Sequence, residues 1–277
     1  GGTSSFTYSW NTGGTAALET GLGAGIYYVT VTDGNGCTDS SSVILIEPTA
    51  ITASISSQTN VYCNGNTTGA ATAAGSGGTA GYTYIWSNGV TAVTASNLGA
   101  GTYYVTVTDG NGCTDSSSVI VTEPAAFGAT ITSQTNVLCN GASTGSATAQ
   151  GSGGNGNYFY SWSSNTGSQT NATATGLVQG TYTVSVTDNS GCSSVAAGTT
   201  TVTITEPLAL VSSASVTTVI SCNGDANGEV TASQSGGTSS FTYSWNTGGT
   251  AALETGLGAG IYYVTVTDGN GCTDSSS

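Results

Sequence analysis

Alternation of apolar and polar side chains organises this chain. From residue 103, Tyr103, Val105 and Val107 alternate with Tyr104, Thr106 and Thr108, which gives one apolar face and one wet face, the signature of a half-buried strand. Asp109-Gly110-Asn111-Gly112 follows, a cluster expected to supply the positive-φ residues of a tight turn, and Val119 and Val121 open a second alternation. The stretch from Leu98 to Pro124 therefore predicts a β-hairpin. It recurs at 22–48, at 177–207 with a longer return strand, and at 257–277.

Upstream of the hairpin the same reading continues. Residues 51–61 alternate as a first strand, Cys63-Asn64-Gly65 is a turn, and 69–74 is a short strand of small residues. Gly77-Gly78 turns the chain into a third strand over 82–86, and Ser87-Asn88-Gly89 turns it again into a weak strand over 90–95. A 3.6-residue apolar period is absent and strong helix formers are scarce, so the expected class is all-β. Leu98, Gly101 and Tyr103 resemble the tyrosine corner of immunoglobulin-like domains, in which the ring lies on the core and its hydroxyl bonds back to the turn.

The unit repeats. Trp10, Trp86, Trp162 and Trp245 each close a Tyr/Phe alternation and lie 76, 76 and 83 residues apart, a period long enough for each copy to fold as its own sandwich. Glu47-Pro48, Glu123-Pro124 and Glu206-Pro207 end successive periods, where proline closes a strand without needing an N–H. The expected domains are 1–48 (the C-terminal part of a repeat), 49–124 and 125–207 (complete repeats) and 208–277 (a repeat truncated in its last strand). Residues 1–42 and 236–277 are identical, which predicts a longer parent chain with a super-repeat of three domains extending over about 110 Å, from strand rise.

Composition narrows the chemistry. The chain has no Lys, Arg or His, and a formal charge of −14. Without cations it cannot neutralise phosphates, so nucleic acid and attachment to an anionic membrane through a basic patch are excluded as partners. The same absence removes imidazole bases, Schiff-base amines and every tryptic site. Acidic residues recur at the same place in each repeat, which argues against a catalytic carboxylate pair. No run approaches the about 20 apolar residues of a membrane helix, so direct membrane insertion is not expected.

Seven cysteines point to an oxidising, extracellular location. Cys63, Cys139 and Cys222 lie in Cys-Asn-Gly turns, whereas Cys37, Cys113, Cys192 and Cys272 follow hairpin turns. Two defined pairings are open, beside other pairings or free thiols. Counting within repeats joins Cys63 to Cys113, Cys139 to Cys192 and Cys222 to Cys272. Strand direction in an immunoglobulin-like sandwich instead puts those partners at opposite poles, and joins Cys63 to Cys192 and Cys139 to Cys272 across successive repeats. A first strand shorter than residues 51–61 would favour the first pairing.

Other candidates read more simply. Asp109, Asn111 and Asp115, with Glu47 at a junction, form half of a calcium-loop pattern, and the competing reading is a plain hairpin turn. No other cofactor is expected. Trp10, Trp86, Trp162 and Trp245, with Tyr27, Tyr103, Tyr182 and Tyr262, are expected as structural core. Asn66 and Asn171 occupy N-x-T sequons.

Together these motifs, C-N-G-x-x-x-G, G-G, Y-x-Y-x-W-s-n-G, L-x-x-G-x-Y-x-V-x-V-x-D-x-x-G-C and E-P, resemble the SprB repeat, an immunoglobulin-like or PKD-like module. The resemblance covers the whole chain. It implies a segment of a long gliding-motility surface adhesin of the Bacteroidota, exported by type IX secretion, and it carries no catalytic residues. The expected function is a mechanical, non-enzymatic spacer in an extracellular filament on the cell surface. Its expected partners are neighbouring repeats of the same chain, surface polysaccharide and other filament copies. A glycan- or partner-binding module and a spacer of a large secreted enzyme are the alternatives.

Overall fold

The computed structural model describes residues 1–193 and 200–277. Among these, the regular structure is β throughout except for a single 3-10 turn at Ser164–Thr166, in seven three-stranded sheets whose paired strands are all antiparallel. The residues divide into two compact units, Gly1–Asn60 with Thr67–Thr122, and Val61–Asn66 with Glu123–Ser277.

In the first unit, β1 (Thr7–Trp10), β2 (Gly25–Thr32) and β3 (Thr38–Leu45) make one sheet. Six strands follow: β4 (Thr52–Thr59), β5 (Gly69–Ser76), β6 (Thr83–Trp86), β7 (Thr94–Leu98), β8 (Gly101–Thr108) and β9 (Thr114–Val121). They form the sheets β4-β5-β7 and β6-β8-β9, the two layers of an immunoglobulin-like sandwich. Small and large residues are matched across the layers. Ala71, Ala73 and Ala95 are buried on one sheet, leaving room for buried Trp86, Val105, Val107, Val119 and Val121 on the other. Each of these buried valines contributes about 1.5–3 kcal/mol through burial.

The second unit holds two more such sandwiches. The first has β10 (Gly128–Thr135), β11 (Gly145–Ser152), β12 (Phe159–Trp162), β13 (Thr173–Leu177), β14 (Gly180–Thr187) and β15 (Thr200–Ile204). The next has β16 (Val211–Thr218), β17 (Gly228–Ser235), β18 (Thr242–Trp245), β19 (Leu253–Leu257), β20 (Val264–Thr267) and β21 (Thr273–Ser276). Their sheets are β10-β11-β13 with β12-β14-β15, and β16-β17-β19 with β18-β20-β21. The fold is a tandem array of immunoglobulin-like β-sandwiches.

Three local readings need correction. The first strand ends at Thr59, two residues short, because Gln58 and Asn60 turn their side chains onto β9: Gln58 Nε2 donates to Ile120 O and Asn60 Oδ1 accepts from Thr122 N. The weak strand lies at Thr94–Leu98, not 90–95, since Val90 O is taken by Trp86 N–H to close the preceding turn. In the hairpin turn only Gly112 has positive φ (86°); Asp109 N–H bonds Cys113 O and Gly112 N–H bonds Asp109 O, a bulged turn. Of the longer return strand expected after Cys192, Thr200–Ile204 is formed, and residues 194–199 lie outside the described residues.

The tyrosine corner is present in all four copies. Tyr27, Tyr103, Tyr182 and Tyr262 donate their hydroxyls to Gly23 O, Gly99 O, Val178 O and Gly258 O. Trp86, Trp162 and Trp245 are 1–3% exposed, and each indole N–H reaches a carbonyl of the next turn. Trp10, whose indole N–H reaches Ala16 O, is only half-buried.

Candidate functional site: the disulfide junction between repeats

Position of the cysteines follows from strand direction. β10 and β15 run parallel: Thr200 bonds Ala129 near one end, and Asn136 Oδ1 accepts from Thr205 N–H at the other. Cys139, after β10, and Cys192, before β15, are therefore at opposite ends of one sandwich. An eight-residue strand such as β10 spans about 26 Å, far beyond the reach of a disulfide. Although the first strand is shorter than expected, its length still forbids the within-repeat bridge.

The bridges instead skip to the following repeat. Cys63 bonds Cys192 with Cα atoms 5.6 Å apart, and Cys139 bonds Cys272 at 5.7 Å. Cys37, Cys113 and Cys222 are free and exposed. The within-repeat pairs Cys63–Cys113, Cys139–Cys192 and Cys222–Cys272 do not form.

Each bridged cysteine is held by its own loop. On the hairpin side, Asp268 Oδ1 accepts the N–H groups of Asn270 and Cys272 while Oδ2 accepts that of Thr238, so one buried carboxylate ties the hairpin turn to the Gly236-Gly237 turn. Donation by Thr238 N–H, opposed by burial and reinforced by Cys272 and Asn270, holds this carboxyl below its ordinary range. Asp188 is arranged likewise; its burial would raise the pKa, but N–H donation from Asn155, Cys192 and Ser190 outweighs it. Asp33 and Asp109 sit in equivalent cradles, with Thr3 and Thr79 as their leading donors.

On the Cys-Asn-Gly side, the loop grips the Glu-Pro that closes its own repeat. Gly141 N–H donates to Glu206 Oε2 at 2.8 Å, and Asn140 Nδ2 donates to Glu206 Oε1 at 3.0 Å and to Pro207 O at 3.1 Å. The earlier copy does the same: Gly65 N–H bonds Glu123 Oε2 at 2.6 Å and Asn64 Nδ2 bonds Pro124 O at 3.1 Å.

One further contact completes the junction. The carbonyl just before the Cys-Asn-Gly cysteine accepts an asparagine amide from the next repeat, Asn270 to Leu138 O at 2.9 Å and Asn155 to Tyr62 O at 2.7 Å. The two asparagines come from different turns. Where the hairpin reads Asp188-Asn189-Ser190, serine takes the place of Asn270, and Asn155 in the double-glycine turn supplies the amide. Sequence reading passed over these asparagines and the Gln58/Asn60 and Gln134/Asn136 pairs; the recurrent S-Q-T-N-V string at 57–61 and 133–137 was the signal for the latter.

The calcium candidates are placed as follows. Asp109 is committed to the N–H groups of Thr79, Asn111 and Cys113, and Asp115 Oδ2 accepts Ala53 N–H at 2.7 Å. Asn111 Nδ2 donates to Thr79 Oγ1, and Glu47 is exposed. Among the described residues, no three His, Cys, Asp or Glu side chains gather as a metal site, and no helix is long and apolar enough to cross a membrane. The sequon residues Asn66 and Asn171 are both exposed.

No curated protein sequence matches the chain. Among solved structures it is similar to the N-terminal eight Ig domains of Down Syndrome Cell Adhesion Molecule isoform 1.30.30, at 12% identity over 98% of this chain and 45% of that one, with a TM-score of 0.32. It therefore spans under half of that structure's length. It is also similar to Sidekick-1 immunoglobulin domains 1–5 (12% identity, 98% and 73% coverage, TM-score 0.32) and to the human Desmocollin-1 ectodomain (13%, 90% and 63%, TM-score 0.22). The SprB repeat family matches at residues 55–91, 131–167 and 214–250, each segment running from the first strand of a sandwich to just past its tryptophan. Three SprB repeats are thus detected along the chain, consistent with a SprB-repeat region.

Proposed function

We propose that this chain is a tension-bearing spacer in a long extracellular adhesin filament on the cell surface. Its working units are the repeats 1–48, 49–124, 125–207 and 208–277, and their first partners are one another. The observation that carries this reading is the Cys139–Cys272 bridge: it is made between repeats, at a loop that also grips the Glu206-Pro207 closing dipeptide. A catalytic or ligand-binding module has no need to lock its copies together covalently; a structure under pull does. The SprB repeats favour placing that filament on a gliding bacterium of the Bacteroidota with export by type IX secretion, and surface polysaccharide or neighbouring filaments as what it lies against.

Non-reducing peptide mapping with a glutamyl or chymotryptic protease tests the reading. Linked peptides Cys63–Cys192 and Cys139–Cys272 are expected; bridges confined within repeats would overturn it.

One observation favours a second reading. Ile85, Tyr104 and Ile120 are 59–63% exposed on the outer face of β6-β8-β9, a small apolar patch suited to a flat partner or a sugar ring. Binding of the chain to a glycan array, lost in Tyr104→Ser, would support the module reading over the spacer.

A further inference from the structure

Turn geometry puts a reactive dipeptide beside Cys63 and Cys139. The loops that carry these cysteines are closed by Asn66 N–H to Cys63 O and by Ala142 N–H to Cys139 O. Gly65 and Gly141 take the left-handed position in them, with φ of 77° and 73°, where a side chain would be strained. The residue after Asn64 and after Asn140 is therefore glycine, and its backbone nitrogen is unshielded. Such a nitrogen attacks the side-chain carbonyl carbon of a preceding asparagine more readily than one whose own Cα bears a side chain. Asn64, Asn140 and Gly141 are exposed, so burial does not keep base or water away.

What meets that nitrogen is a carboxylate. Gly141 N–H donates to Glu206 Oε2 at 2.8 Å, and the amide that would leave, Asn140 Nδ2, is held by Glu206 Oε1 at 3.0 Å and Pro207 O at 3.1 Å. In the earlier copy Gly65 N–H donates to Glu123 Oε2 at 2.6 Å, and Asn64 Nδ2 to Pro124 O at 3.1 Å. An Asn-Gly turn does not itself require a carboxylate: in Asn88-Gly89 the glycine N–H donates to the neutral carbonyl of Trp86 at 2.9 Å. Cyclisation begins with loss of the glycine N–H proton, and a negative charge accepting that proton makes it harder to remove.

We propose that Asn64 and Asn140 are latent sites of covalent conversion to aspartate and isoaspartate, kept unreacted by the glutamate that closes their own repeat. Gly141 N bonds to Asn140 Cγ, the Cγ–Nδ2 bond breaks, and the amide leaves as ammonia, taking up the proton that the glycine nitrogen gave up. Water then opens the cyclic imide at either carbonyl, so the net change is a water consumed and an ammonia released. The product carries a carboxylate beside Glu206, where an amide had donated. The two like charges repel, and the loop lets go of the closing Glu206-Pro207.

The test follows both asparagines by mass spectrometry during incubation of the full chain at neutral pH, with reduction and chymotryptic digestion of each sample. In Glu206→Ala, conversion of Asn140 should quicken at least about tenfold, the factor that a hydrogen bond to a charged group supplies in a rate. Glu206→Gln keeps an acceptor for Gly141 N–H but loses the charge, and should fall between. Asn64, still held by Glu123, should keep its rate in both variants, and Glu123→Ala should reverse the pattern. An unchanged rate at Asn140, a Glu206→Gln chain as slow as the unmodified one, or equal quickening at Asn64 would overturn the proposal. Because unfolding would free both asparagines together, misfolding cannot produce the expected difference.

Discussion

Glu206 Oε2 accepts the backbone N–H of Gly141 at 2.8 Å, so the residue that ends one repeat is held by a loop 65 positions earlier in it. Removing the carboxylate in Glu206→Ala frees this N–H and leaves the Asn140 amide with Pro207 O alone. The loss expected is about 1.5–3 kcal/mol, the range for hydrogen bonds to a charged group, with faster reduction of Cys139–Cys272. Urea unfolding and thiol-release kinetics measure the two effects.

Cys139→Ser with Cys272→Ser removes a bridge that closes 133 residues. Chain-entropy arguments give about 5 kcal/mol for a loop of this size, and engineered cases commonly deliver less. The transition of the sandwich 208–277 should fall well below that of the unmodified chain in calorimetry, while Glu206→Ala in the same background should add little, because the two act at one junction.

Pulling from the two ends reads the covalent topology directly. With both bridges intact, the shortest covalent path runs from residue 1 to Cys63, across to Cys192, back to Cys139 and across to Cys272. That path has about 120 backbone steps and stretches to about 400 Å, against about 950 Å for the reduced chain. Single-molecule extension with and without reductant should differ by that ratio.

Acid should weaken the chain in a defined window. The carboxyls of Asp33, Asp109, Asp115, Asp188, Asp268 and Asp274 all lie below the ordinary value in the folded state. A group with a depressed folded pKa adds stability above its unfolded pKa, about 3.9, and that contribution is lost as pH falls through the folded value. Urea midpoints should hold from pH 7 to about 5 and drop below about 4, and Asp268→Asn should lower the neutral midpoint while flattening the drop.

The double-glycine turn tolerates nothing larger. At Gly153 (φ 68°) a Cβ would sit 2.0 Å from Ala126 O, whereas at Gly191 (φ 79°) it would meet nothing within 4 Å. Gly191→Ala should cost about 1–2 kcal/mol, the left-handed penalty alone, and Gly153→Ala clearly more. Thermal unfolding of the two variants compares them.

Much of this architecture was legible because the period-2 pattern is physical: Val105 and Val107 alternate with threonines, and they are buried where the pattern says. The tyrosine corner was legible from the likeness of Leu98, Gly101 and Tyr103 to that of immunoglobulin-like domains, and the alternation that ends at each tryptophan meets a buried Trp86, Trp162 and Trp245 but a half-buried Trp10. What escaped depends on partners. Residues 18–22 and 253–257 share one sequence, but only the copy facing β17 is a strand, so no local rule could assign both. The cysteine pairing was open until strand ends were fixed in space. The Asn155 and Asn270 contacts arise from different turns and leave no common motif to find.

Because the intervals 63–192 and 139–272 overlap, every peptide bond between Cys63 and Cys272 lies inside at least one closed ring. A protease that nicks the backbone once anywhere in that span cuts the chain without parting it, and the severed pieces stay joined through sulfur.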